Sequence, residues 1–295
     1  MFEELSAKEG FFENRRGMRI AYQECGEGPP VILTNGIGGR WQAWYFVIKH
    51  FHSRFRFISW DYRGMYKSEP PEDPEAVTVA HQCEDLKDML DHFDIKEAIF
   101  IGWSMGVQVN FEFYRYFPEM MRAIIVFDGA YGLPFETALN LPFSTRILKA
   151  FFSFVEKKSE LSEEFMGLFY KLPFLFDAVK LIGLIAPSCS REIFVEMAGG
   201  FKYMNMDMMA KTMQKLAVHD AYDVLSAIRV PVMIIIGSKD LMTPVTIARQ
   251  MEQQIPDATL HIIEGGTHYT PVEFPEDVNR FLEEFIERYK LNNKE

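Results

Sequence analysis

The sequence predicts an α/β fold: an eight-stranded, mostly parallel sheet with helices on both faces and a helical cap inserted into it. Three observations carry this. Short apolar runs rich in β-branched residues alternate with longer stretches of helical periodicity, the pattern of a parallel sheet covered on both sides. Each run opens at its C-terminal end into a loop bearing Gly or Asp. From 131 to 216 the alternation lapses, and the residues read as helices dense in Phe and Met.

The elements follow in order. "EGFFEN" and "MRIAYQE", joined across "RRG", read as an antiparallel hairpin at the sheet edge. Buried strands are expected at "VILTN" (31–35), "FRFISWD" (55–61), "EAIFIG" (97–102) and "AIIVFDG" (123–129). Two more follow at "VMIIIGSKD" (232–240) and "TLHIIEGG" (259–266). Leu86, Met89, Leu90 and Phe93 repeat at helical spacing, as do Val278, Phe281, Leu282, Phe285, Ile286 and Tyr289, the latter opened by "FPED" with acids in the first turn. Helices are expected at 144–157, 163–186 and 193–216. The division is therefore a core of 1–130 and 217–295, with 131–216 as a lid over the C-terminal ends of the strands. Ligands collect at that end of such sheets.

Composition narrows the function classes. A net charge of −11 over 295 residues argues against a nucleic-acid partner, which needs a concentrated basic face, and against anionic membrane surfaces. Apolar content of 48% and charged content of 25% are ordinary for a globular protein. The three cysteines, Cys25, Cys83 and Cys189, are scattered without a CxxC spacing, so no disulfide framework or zinc site is expected and the expected compartment is the cytoplasm. The N-terminus does not read as a secretory signal, and no apolar run reaches membrane-spanning length. A monomer or homodimer is expected.

The chemistry centres on "GWSMG" (102–106). Ser104 falls on the turn between the strand "EAIFIG" and the helix "VQVNFEFYRYF". A strand turning sharply into a helix strains the residue between them, and its neighbours two positions away must lack bulk. Gly102 and Gly106 meet that need, the logic of a nucleophile elbow. A serine hydroxyl needs a base, and the base an orienting acid. Asp240 follows one later strand and His268 the next, so serine, acid and histidine each stand after a separate strand. Asp128, also after a strand, competes as the acid. The glycine-rich loop after "VILTN" offers the N–H of Ile37, which with that of Met105 forms an expected oxyanion hole. Capping of the following helix is the bland alternative for Ser104. Asp61 and Arg63 read as a structural turn.

These residues carry a family resemblance. The chain resembles the α/β-hydrolase superfamily, in its capped esterase and lipase-like branch, over nearly its whole length. The resemblance implies Ser104 as nucleophile, Asp240 as acid, His268 as general base and a lid inserted after the sixth strand. "DYRGMYKS" is similar to the family's Asp-x-Arg-Gly turn, with Met65, Tyr66 and Lys67 intervening before Ser68, and Asn35 stands where many members carry histidine. An Asn-Gly-Ile-Gly stretch resembling this one occurs in intracellular polyhydroxyalkanoate depolymerases. A serine at the elbow argues against haloalkane dehalogenase and epoxide hydrolase chemistry, whose elbows carry aspartate.

The expected activity is hydrolysis of a small-molecule carboxylic ester through an acyl-enzyme, with lipophilic substrates of short to medium acyl chain. Trp103, Trp41, Tyr131, Leu241 and Tyr269 are candidate pocket residues, although flanking aromatics usually serve packing. No metal or organic cofactor is expected. A C–C bond hydrolase, lactonase, thioesterase, perhydrolase or acyltransferase could use the same three residues, and a non-catalytic ligand receptor of this fold is the rival from another class.

Overall fold

The computed structural model describes residues 5, 7–137, 144–169, 172 and 174–292. Strands β1 (Lys8–Glu13) and β2 (Arg19–Cys25) form the expected hairpin, followed by β3 (Pro30–Thr34). Helix α1 (Tyr45–Phe51) leads to β4 (Arg56–Trp60), α2 (Val79–His92) to β5 (Ala98–Trp103), and α3 (Met105–Tyr116) to β6 (Met121–Phe127). The chain then leaves the sheet through α4 (Pro134–Thr137), α5 (Ser144–Lys157), α6 (Ser159–Phe169), α7 (Leu175–Leu181), α8 (Arg191–Gly200) and α9 (Met206–Leu216). It returns by α10 (Tyr222–Leu225) to β7 (Val232–Gly237), α11 (Val245–Gln254), β8 (Ala258–Ile263), α12 (Thr270–Glu273) and α13 (Pro275–Tyr289).

The sheet has eight strands in the order β1-β2-β4-β3-β5-β6-β7-β8. Only β1–β2 and β2–β4 pair antiparallel; β4 through β8 run parallel. All six strand segments expected after the hairpin are present, each within a few residues of its expected ends. Their residues alternate between two cores. Ile32, Phe100, Val232 and Ile234 face the side covered by α2, α3 and α11, whereas Leu33, Ile99, Ile101 and Met233 face α1 and α13. Along β3 to β7 both faces are covered, which is why these strands read as near-continuous apolar runs. Each fully buried aliphatic side chain contributes roughly 1.5–3 kcal/mol.

Helix ends follow local chemistry. Thr78 caps α2 by accepting the His81 N–H. Pro275 opens α13 with Glu276 and Asp277 in its first turn, and Lys290 ends it in the left-handed conformation. Between β6 and β7 the described residues form helices and one isolated bridge, Gly132 with Asp220, which pins the two ends of the excursion together. The single helix expected over 163–186 is instead two, α6 and α7. Tyr170, Lys171 and Pro173, within that expected helix, lie outside the described residues. The helix expected over 193–216 is likewise divided, into α8, a 3-10 turn at Phe201–Tyr203, and α9 capped by Asn205.

Arg63 and Asp85 make a fully buried ion pair, Nε to Oδ2 at 2.7 Å and a second guanidinium nitrogen to Oδ1 at 2.7 Å. Asn14 from the hairpin turn donates to the same carboxylate at 2.7 Å, and the guanidinium also reaches the carbonyls of Ala76 and His81. The structural-turn expectation for Arg63 matches this placement. Among the described residues no helix is long and apolar enough to cross a membrane.

Candidate active site

Ser104 sits between β5 and α3 at φ 53°, ψ −117°, a region non-glycine residues rarely occupy. Its neighbours explain how this is tolerated. A Cβ on Gly106 would stand 2.0 Å from the Thr34 carbonyl oxygen, and one on Gly102 would stand 2.7 Å from the Asn110 side chain. Any other residue would push α3 off β3. The turn lifts the serine hydroxyl clear of the sheet at the start of α3, where first-turn N–H groups, that of Met105 among them, lack a carbonyl one turn earlier.

The histidine and acid arrive from the neighbouring strand ends. A Cβ on Gly237 would stand 2.3 Å from the Gly266 backbone, so glycine lets the loops after β7 and β8 lie against each other. That contact sets Asp240 beside His268. His268 Nδ1 is 2.8 Å from Asp240 Oδ2, and its Nε2 is 2.9 Å from Ser104 Oγ. Asp240 also accepts from the Met242 and Thr243 N–H groups at 2.7 and 3.0 Å and from the Thr243 hydroxyl at 2.6 Å. Burial would raise the Asp240 carboxyl, but the His268 charge and these bonds outweigh it and hold it below the usual carboxylate range. Burial would likewise lower His268, yet the Asp240 charge and hydrogen bond carry it above 6.5. Both shifts favour an ionised acid beside a readily protonated imidazole.

Asp128 stands close by but is committed elsewhere. Fully buried, it accepts from the Gly237 N–H at 3.0 Å and from Thr270 through its N–H at 3.0 Å and its hydroxyl at 2.5 Å. Burial, with the Asp240 charge second, pushes its carboxyl well above the usual range. It therefore laces the ends of β6 and β7 to α12, and its hydrogen bonds run past the imidazole.

The loop after β3 crosses above the serine, and a Cβ on Gly36 would approach Ser104 Cβ to 3.1 Å. Asn35 anchors that loop from beneath: its amide donates to Ser59 and to the Trp60 carbonyl, and its oxygen accepts from Trp44 Nε1 at 2.9 Å. Tyr62 donates to the Asn35 carbonyl and Tyr66 to that of Gly38, at 2.5 and 2.6 Å. The bracing by Tyr66 went unread in the sequence; the unusual Met-Tyr-Lys insertion after "DYRG" was its signal.

Two cavities open onto Ser104, and another adjoins them at Ile37 and Trp103. One of about 270 Å³ lies on the histidine side, walled by Trp103, Leu241, Met242, His268 and Tyr269, with Lys239 at its edge and Gly183 and Leu184 from the excursion. A second of about 180 Å³ continues past Ile37 and Trp103 towards Leu175, Phe194 and Met197. A third of about 100 Å³ runs the other way from Ser104 and Met105 and is closed by Phe135, Leu148, Phe152, Met213 and Leu216. Trp103 and Tyr269 line the first two cavities, and Leu241 lines the first. Trp41 and Tyr131 line none of the three, and both expectations are corrected. Trp41 is packed into the core beneath the loop after β3. Tyr131 turns outward, donating to Gln250 at 2.8 Å and packing on Tyr222. The excursion's contribution, from Leu148 to Leu216, was legible only as Phe- and Met-rich helix.

Glu273 ties this region together. Its carboxylate accepts from the Thr267 N–H and hydroxyl at 2.7 and 2.6 Å and from the Ala186 N–H of the excursion at 2.7 Å. Among the described residues no group of three His, Cys, Asp or Glu side chains is placed to hold a metal ion.

The family model described as alpha/beta hydrolase fold matches residues 29–275. The chain belongs to the alpha/beta hydrolase fold family. Among curated proteins it is 26% identical to an uncharacterized protein of Mycobacterium tuberculosis, over 94% of this chain and 80% of that protein. It is also 26% identical to a putative carbamate hydrolase of Caulobacter, over 90% of this chain and 95% of that protein. Among solved structures, a thermophilic esterase from Thermogutta terrifontis shares the fold with a TM-score of 0.74 at 20% identity, covering 96% of this chain and 99% of that one.

Proposed function

We propose that this hydrolase cleaves carboxylic esters through an acyl-enzyme, with Ser104 as nucleophile, His268 as general base and acid, and Asp240 as its orienting partner. The observation that carries this is the continuous hydrogen-bonded chain from Asp240 through His268 to Ser104, at 2.8 and 2.9 Å. Ser104 Oγ bonds to the ester carbonyl carbon as its proton passes to His268 Nε2. The Ile37 and Met105 N–H groups take the oxyanion, where one lost donor costs on the order of 3 kcal/mol. Collapse breaks the bond to the alcohol oxygen, which leaves with the proton from His268. Water then gives a proton to the imidazole, attacks the acyl carbon and releases the carboxylic acid and the serine.

The cavities divide the substrate accordingly. The alcohol must receive its proton from His268 and so takes the 270 Å³ cavity that His268 lines. The acyl chain takes the 100 Å³ arm beside Met105, and a volume below the roughly 300–1,000 Å³ of drug-sized pockets favours short to medium chains. Residues 131–216 act as the cap that closes both.

The test is labelling by a fluorophosphonate probe together with turnover of 4-nitrophenyl esters of graded acyl length. The unmodified protein labels once and hydrolyses the shorter esters, and Ser104→Ala does neither. A folded protein that neither labels nor turns over any ester, or a Ser104→Ala variant that still labels, sinks the reading.

A further inference from the structure

Gln108 lies in the first turn of α3 and shares the lining of the 100 Å³ arm with Ser104. Only 2% of it is exposed, and it lines the 100 Å³ arm. Among the described residues the arm's other polar side chains are occupied, Ser104 by His268 and Thr243 by Asp240. The side-chain oxygen of Gln108 is occupied as well, 2.8 Å from His219 Nδ1.

His219 is itself fixed from behind. Its Nε2 lies 3.2 Å from Glu112 Oε2, and Glu112 also accepts from Arg115 Nε and the Tyr116 hydroxyl, each at 3.0 Å. Burial would raise the Glu112 carboxyl, but bonds from His219, Arg115 and Tyr116 bring it down to about 2, so it serves as an acceptor. Arg115 is anchored in turn by Asp223 at the surface. When both ring nitrogens of His219 carry protons, one for Glu112 and one for the Gln108 oxygen, this chain of partners holds that oxygen away from the arm and leaves the amide nitrogen, with two donors, to the otherwise apolar arm. An arm built only for a plain alkyl chain gains nothing from such a group, since a buried donor without a partner is unfavourable by roughly 1–3 kcal/mol.

We propose that Gln108 is a specificity residue for the acyl group, reading a hydrogen-bond acceptor, an oxo or hydroxyl oxygen a few bonds beyond the ester carbonyl, and that His219 is the positioning residue that aims it. The substrate class is therefore an oxygenated short acyl ester rather than a simple fatty ester. This rests on the ester-hydrolase reading above.

The test compares ethyl 3-oxobutanoate with ethyl butanoate, followed by acid release and normalised to each ester's hydroxide rate, so that only the ratio of kcat/KM within one protein is read. The unmodified protein prefers the oxo ester by at least about tenfold. In Gln108→Met, nearly isosteric and without the donor, the ratio falls to about one, and His219→Leu, which frees the amide to turn, narrows it, chiefly through KM for the oxo ester. Equal normalised rates in the unmodified protein, or a preference that survives in Gln108→Met, overturn the proposal while leaving the ester-hydrolase reading intact. An unchanged ratio in His219→Leu overturns the positioning role. Should neither ester be cleaved and no fluorophosphonate label appear, the ester reading falls and this inference with it.

Discussion

Asp240 and Asp128 lie over the same end of the sheet, and their hydrogen bonds assign them different work. Asp240 spends one oxygen on the imidazole, whereas Asp128 spends both on backbone and threonine donors. Asp240→Asn is expected to lower kcat by about 10³–10⁴-fold with little loss of stability, because an amide supports the wrong imidazole tautomer. Asp128→Asn is expected to lose about 1–3 kcal/mol of stability by turning an N–H towards N–H donors, with a much smaller fall in kcat. Steady-state kinetics and urea unfolding on the two variants separate these outcomes; a reversed pattern would exchange their roles. The base must be neutral to accept the serine proton, and the Asp240 carboxylate carries His268 above 6.5. Accordingly kcat/KM is expected to rise with pH through one ionisation above 6.5, and a flat profile from pH 5 to 8 would contradict this. Ser104, Asp240 and His268 were legible because each follows a strand whose end is visible as apolar residues giving way to Gly or Asp. The choice between Asp240 and Asp128 was less so, since both follow strands and only tertiary hydrogen bonding distinguishes them.

The central strands β3 to β7 were legible because they are buried on both faces, and a doubly buried strand is apolar at nearly every position. The helices from 144 to 216 were legible as helices but not as walls. Which face of α5 or α9 meets the sheet depends on tertiary packing, and every turn there carries apolar residues on more than one side. Trp41 and Tyr131 line none of the three cavities for the same reason, since nearness in sequence does not fix where a side chain packs. Phe152 on α5 stacks on Phe135 at 5.5 Å and closes the acyl arm. Phe152→Ala is expected to lengthen the arm, raising kcat/KM for hexanoate relative to acetate esters of 4-nitrophenol by about tenfold, as a few buried methylenes at about 0.8 kcal/mol each would give. An unchanged chain-length profile would place the acyl group elsewhere.

At the scale of the whole molecule, buried charges set how stability responds to acid and to mutation. The fully buried Arg63–Asp85 pair ties the loop after β4 to α2, and Asn14 joins the hairpin turn to it through the same carboxylate. Arg63→Ala strands the Asp85 charge and is expected to lose about 3–5 kcal/mol in urea unfolding; a change below about 1 kcal/mol would show that water reaches the site. Glu112, lowered from 4.5 to about 2 in the fold, contributes stability that is fully present above its unfolded value and lost as pH falls towards 2. The stability gap between the unmodified protein and Glu112→Gln should therefore close between pH 5 and 2, and a gap independent of pH would contradict the lowered value. The pairs Arg63–Asp85, Asn14–Asp85 and Glu112–His219 could not be read from sequence, because their members lie 22, 71 and 107 positions apart.

The carboxylate of Glu273 has one further consequence. It grips Ala186 of the helical excursion and Thr267, the residue immediately before the catalytic imidazole, with the same pair of oxygens. If that stretch lifts to admit a substrate in the proposed reaction, it would tug on the tether of His268, and reseating it would return both together. On the proposed reading, the entrance and the reaction centre would then be mechanically one part, ready for chemistry only when shut.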